Sequence, residues 1–170
     1  HGLRDTPRIY LLERKSGIRD RQNKHILKEM CFRNARNCLG YRLVVKNIER
    51  TGDHAAFIAK DLLEFKKSIK KEILEKLQEM NDFSLTVLDE SCLALFKEDY
   101  YQAEKTIKKI EQITKFEKKI KDASKSIKGD EEMYRVRRLA ENIRRISEYA
   151  SDIAEIVLNM NIEKTLTKTE

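Results

Sequence analysis

The chain has 170 residues, enough for one ordinary domain or two small ones, and its 40% apolar content suits a packed core rather than a disordered tail. Charged residues make up 38%, proline occurs once and tryptophan never; strands and their turns draw on glycine, proline and aromatics, so the composition excludes a β protein and points to long solvated helices. The net charge of +7 arises from 36 Lys and Arg interleaved with 29 Asp and Glu, the pattern of a solvated helical surface rather than a basic nucleic-acid-binding block.

Breakers are scarce. Those at Ser16-Gly17, Asn37 to Gly40, Lys97-Glu98-Asp99 and Lys128-Gly129-Asp130 predict helices near 5–16, 22–33, 38–65, 68–97, 99–127 and 130–162, with a frayed tail at 163–170. In the third helix Val44, Ile48, Thr51, Ala55, Ile58, Leu62 and Phe65 step by four and three, giving one packing seam. Asp99 followed by Gln102 reads as an N-cap with a capping-box partner at the start of the fifth. That helix carries its own stripe, from Ala103 and Ile107 through Ile110 and Ile113 to Ile120 and Ile127. Gly129 reads as its left-handed stop and Asp130 as the cap of the last helix. In the last helix, Leu139, Ile143, Ile146, Ala150, Ile153, Val157 and Met160 repeat the seam of the third in the same phase.

The repetition is also one of sequence. Residues 47–63, NIERTGDHAAFIAKDLL, align without a gap to 142–158, NIRRISEYASDIAEIVL, sharing Asn47/Asn142, Ile48/Ile143, Ala55/Ala150, Ile58/Ile153 and Ala59/Ala154 among others. Two segments carry one design. An alanine near the middle of each seam lets neighbouring helices approach closely.

The run YRLVVKNIERTGDHAAFIAK at 41–60 resembles the signature helix of PhoU proteins, and NIRRISEYASDIAE at 142–155 is similar to the closing helix of their second repeat. The resemblance implies an all-α fold of two tandem antiparallel three-helix bundles. A first unit at 5–65, truncated at its N-terminus, is followed by a second at 68–162, and a preceding segment is expected before His1. The leader at 22–37 is more similar to archaeal members than to bacterial ones. The resemblance also implies regulation of phosphate uptake through protein contacts with the ATPase of a phosphate ABC transporter and with a sensor kinase, by a protein that pairs as a homodimer. Some members hold iron or zinc on carboxylates spaced by four.

Glu49 and Asp53 are the metal candidates in this sequence, since i and i+4 lie one turn apart on a helix face directed away from the seam. Their counterparts in the second copy are Arg144 and Glu148, and Arg144 puts a permanent positive charge where a cation would sit. Glu117 is the carboxylate that survives in the fifth helix, where Ile110 and Thr114 stand at other positions expected to be acidic. Two readings of Glu49 and Asp53 stay open: a surface metal, or a solvated face paired with Arg42, Lys46 and Arg50.

Other chemistry finds little support. No Glu-x-x-His pair, Gly-rich cradle or nucleophile-base spacing is present, so the chain reads as a binding protein and not an enzyme. His54, aligned with Tyr149, reads as structural. Arg135, Arg137, Arg138, Arg144 and Arg145 form two stripes, open to self-pairing with nearby acids, to a protein partner or to nucleic acid. Cys31, Cys38 and Cys92 lack a CxxC pair and read as buried apolar side chains in a reducing compartment. No apolar run approaches the ~20 residues that span a bilayer and no signal peptide opens the chain, so cytoplasmic location without membrane insertion is expected. The alternative to the PhoU reading is the helical sensing or dimerising part of a transcriptional regulator whose DNA-binding domain lies elsewhere; nucleic acid is not expected on this part.

Overall fold

A computed structural model describes residues 35–65 and 68–166. Their regular structure is entirely helical: α1 (Ala35–Leu63), α2 (Lys71–Lys97), α3 (Tyr100–Ile110), α4 (Ile113–Ser124) and α5 (Asp130–Leu166). The expected helices at 5–16 and 22–33, and Cys31, lie outside the described residues. Helix α5 runs past the expected end at 162, to Leu166.

Helix α2 starts after Lys70, whose ψ of 136° is extended, so the break after Phe65 is real. It ends on Glu98 in the left-handed region at φ 52°, with the Glu98 N–H bonded to Leu95 O and the Asp99 N–H to Ala94 O at 2.9 Å. These bonds satisfy terminal carbonyls and offset the roughly 1–2 kcal/mol that a left-handed backbone costs a residue with a Cβ. Asp99 caps α3 as expected, accepting from the Gln102 N–H at 3.0 Å. Gln102 does not complete the box, because its side chain reaches Thr106 instead.

The helix expected at 99–127 is broken. Gln112 N–H bonds to Lys109 O and Lys115 N–H to Gln112 O, the i to i−3 pattern of a 3₁₀ turn. Ile107, Ile110, Ile113 and Phe116 step by three, a spacing that drifts around an α-helix but stays on one line in a 3₁₀ turn. The tightening keeps both Ile110 and Ile113 buried. Helix α4 then ends at Ser124, and Gly129, at φ 147°, sits at the entrance of α5 instead of closing the preceding helix. Its carbonyl accepts from the Met133 N–H at 3.1 Å.

Helix α5 is the axis of the fold and touches each of the other four. It runs parallel to α2, since Ser84 Oγ donates to Ile143 O at 3.3 Å and Ser91 Oγ to Ala150 O at 2.7 Å, two contacts at the same sequence separation. Helices α3 and α4 run back between them, tied by Lys109 to Glu90 at 2.7 Å and Lys70 to Ser126 O at 2.8 Å. The bundle core has Met80, Ile120, Leu139 and Ile143 toward one end, and Ala94, Ala103, Ile153 and Val157 toward the other; Val87, Ile110 and Ala150 lie in a third cluster. Each large side chain among these contributes about 1.5–3 kcal/mol on burial.

Helix α1 lies antiparallel along a different face of α5: Gly40 faces Met160 and Ile156, and Asp61 faces Arg138. A Cβ at Gly40 would come within 2.6 Å of Met160 Sδ, so the glycine permits the close approach at this end. The seam expected on α1 is only partly the packed face. Val44 is buried and Thr51 and Ile58 half-buried, but Ile48, Ala55 and Leu62 are exposed, and Asn47, His54 and Asp61 turn inward in their place. The helix is rotated toward its polar residues because the α5 face opposite is itself polar, presenting Arg138, Asn142 and Tyr149. On α5 the seam residues Ile143, Ala150 and Val157 are buried in the bundle. The equivalent stripe on α1 has no cover among the described residues.

Candidate functional site

The inward face of α1 and the facing surface of α5 build a polar seam. Asp61 is 3% exposed; Arg138 donates to it from both Nε, at 2.8 Å, and Nη2. This paired geometry satisfies both oxygens of a buried carboxylate. Asn142 Nδ2 donates to Asp61 Oδ2 at 3.5 Å, which turns Asn142 Oδ1 toward His54 Nδ1 at 2.8 Å. The carbonyl only accepts, so His54 Nδ1 is the donor, and Nε2 accepts from Tyr149 Oη at 3.3 Å. His54 is thus structural, as its place in the sequence suggests, and it joins α1 to α5.

Arg135 extends the seam to the surface, bonding Glu64, in the turn that follows α1, and Glu131 of its own helix. Its hydrogen bond holds the Glu64 carboxyl below the ordinary value of 4.5. A depressed carboxyl contributes stability that is present above its unfolded value and lost as pH falls through the folded one. Glu64→Gln is therefore expected to make the melting temperature fall less steeply than in the wild type below about pH 4.5, a shift read by thermal scans across that range. Asp152 opposes this trend: burial, chiefly, together with Glu148, raises its carboxyl, against the pull of Arg50.

Arg144 stands among three carboxylates. Its Nε is 3.5 Å from Glu117 on α4, Nη2 is 3.9 Å from Glu141, and Nη1 bonds Glu148. Arg145 joins Glu148 at 3.0 Å and Glu141 at 3.9 Å. The surviving Glu117 thus meets the permanent charge of Arg144. Much of the arginine cluster is self-paired, but two of its partners come from elsewhere, Asp61 from α1 and Glu64 from the turn after it. The repeat alignment held one signal for this, because it sets Asp61 opposite Ile156, a charge in one copy where the other has a buried apolar side chain.

Glu49 and Asp53 lie one turn apart on the exposed side of α1. The described residues contain no group of three or more His, Cys, Asp or Glu side chains placed to hold a metal ion. Two carboxylates alone do not fill the coordination sphere of zinc or iron, so the pair does not by itself fit the metal implied by the resemblance. Cys38 is buried and Cys92 half-buried, both free. Burial raises both thiols, Cys92 further through Asp89, which suits packing rather than nucleophilic work. A groove of about 380 Å³ opens between α4 and α5, lined in part by Lys121, Tyr134, Arg137 and Arg138.

The geometry is that of a helical scaffold with polar seams and one helix design used twice, in α1 and α5. Residues 77–157, from α2 into the last part of α5, match the family model of the PhoU domain. These residues form a PhoU domain. The match covers the bundle α2 to α5 and includes 142–155, while the run at 41–60 precedes it. Comparison with curated proteins and with solved structures returned no match. No helix of the described residues is long and apolar enough to cross a membrane.

Proposed function

We propose that this PhoU-domain chain regulates phosphate uptake through protein contacts, without catalysis, and that α1 carries the contact surface. The observation behind this reading is the stripe Ile48, Ala55 and Leu62, continued by Leu63, which is exposed on α1 although its repeat equivalents in α5 lie inside the bundle. Gly52 sits beside it with nothing within 4 Å of where a Cβ would be. A mid-helix glycine costs about 1 kcal/mol relative to alanine and here serves no contact among the described residues. An apolar exposed stripe of this kind is suited to a partner surface.

The partner that the family implies is the ATPase of a phosphate transporter; a sensor kinase and a second copy of this chain are further contacts of the same kind. Iron or zinc at Glu49 and Asp53 enters the proposal only as a cation completed by ligands brought by another molecule. Titration of the purified chain with the transporter ATPase tests the reading. Binding is expected to change little with salt, because the surface is apolar, and to weaken at least tenfold in Ile48→Glu, Leu62→Glu. Persistence of binding in EDTA would separate the apolar contact from a metal bridge. No binding to the ATPase, with association to duplex DNA that falls steeply with salt, would overturn the reading in favour of a nucleic-acid-associated regulator.

A further inference from the structure

The groove between α4 and α5 holds two cations that its carboxylates do not neutralise. Glu117 and Lys121 are one turn apart on α4, and Glu141 and Arg137 one turn apart on α5, so each carboxylate has a cation within ordinary reach on its own helix. Neither pair forms. Arg144 takes Glu117 at 3.5 Å and Glu141 at 3.9 Å, and Arg145 shares Glu141. Lys121 has no ion pair or side-chain hydrogen bond among the described residues, and Arg137 spends only its Nε, on Ser124 Oγ at 3.2 Å. The third cation of the groove, Arg138, is committed to the buried Asp61.

Lys121 and Arg137 line a cavity of about 380 Å³ that Ile120 and Ala140 also border. At its side lies Tyr134, 62% exposed, with the Arg138 guanidinium 5.6 Å from its ring centre. Two cations with uncommitted donors, beside the apolar Ile120 and Ala140 and an exposed aromatic ring, suit one chemical class: a small molecule with a flat body and a doubly charged anionic end.

We propose that this groove binds a phosphate monoester of a small flat molecule, its phosphate between Lys121 and Arg137 and its body against Tyr134, with Arg144 acting as a positioning residue that keeps Glu117 off Lys121. The residues lining the groove lie on α4 and α5 and none on α1, so the site does not depend on the contact surface proposed above.

Calorimetric titration of the full chain with phenyl phosphate and, separately, with inorganic phosphate tests this. Phenyl phosphate is expected to bind, and inorganic phosphate at least tenfold more weakly. Lys121→Gln and Arg137→Gln should each weaken phenyl phosphate tenfold or more, while Tyr134→Leu weakens it and leaves inorganic phosphate unchanged. Arg144→Gln should weaken binding although Arg144 does not line the cavity, because the freed Glu117 then returns to Lys121. Lys105→Gln, an exposed lysine of α3 away from the groove, should bind as the wild type does. Lys121 is exposed, so its variant keeps the test available if Arg137→Gln fails to fold. The proposal is overturned by absence of binding at millimolar ligand, by affinity indifferent to Lys121, or by an equal loss in Lys105→Gln, which would mark unspecific attraction to a basic surface.

Discussion

Replacing Ala150 by leucine is expected to destabilise the protein by about 2–3 kcal/mol, a fall in melting temperature of roughly 5–10 °C, whereas Ala55→Leu stays within about 0.5 kcal/mol of the wild type. The two alanines occupy the same place in the repeat. Ala150 is fully buried, and Ser91 of α2 reaches its carbonyl at 2.7 Å, so three added carbons have nowhere to go without separating the helices. Ala55 is exposed, and a leucine there meets solvent. Urea unfolding of the two variants reads the contrast directly. Equal losses would show that the α1 stripe is covered in solution, and would sink the assignment of that stripe as a contact surface free to take a partner.

The second large effect is expected from Asp61→Lys. The substitution sets a cation in a buried position against Arg138 and near Arg135, where the wild type has a satisfied carboxylate, and uncompensated buried charge costs about 3–5 kcal/mol. The loss should fall on one layer. Helix α1 is held to α5 by Asp61, Asn142 and His54 and by Val44, Tyr41 and Ile58 packed on the bundle, while Met80, Val87, Ile110, Ile120, Leu139 and Ala150 form a core among α2 to α5 to which no buried residue of α1 belongs. Amide exchange is expected to accelerate across Ala35–Leu63 and to stay slow in α2 and α5. Uniform loss of protection would mean that α1 and the bundle form one cooperative unit; unchanged exchange in α1 would mean that the polar seam does not hold it.

Much of the fold could be read from residue types alone, and the exceptions share a cause. Asp99, Glu98 and the seam of α5 depend on local bonding or on one apolar stripe, so spacing in the chain suffices to find them. The rotation of α1 depends on what stands opposite. Asn47, His54 and Asp61 look like the edge of a solvated face until Arg138, Asn142 and Tyr149 are brought against them. The break in the helix after α2 was hidden because Glu111 and Gln112 are good helix formers with no glycine or proline beside them; only the run of threes from Ile107 to Phe116 betrays it. At the site, the exposure of Glu49 and Asp53 followed from helix phase. The capture of Glu117 by Arg144 did not, because Glu117 has Lys121 one turn away on its own helix and only the packing of α4 on α5 decides between them.

The antiparallel contact of α1 with α5 brings two copies of one sequence design face to face, and such a contact has an internal axis. His54 and Tyr149 occupy the same place in the two copies and touch each other, so they stand on that axis. If a single repeat paired with itself, this position would hold the same side chain twice: two imidazoles, or two phenols. Carrying both copies in one chain lifts that constraint. The axis can take an unlike pair, a phenol that donates to an imidazole whose other nitrogen is already bound, and the two halves become distinguishable at their point of contact. A separately encoded partner identical to its mate could not write that asymmetry; a tandem repeat can.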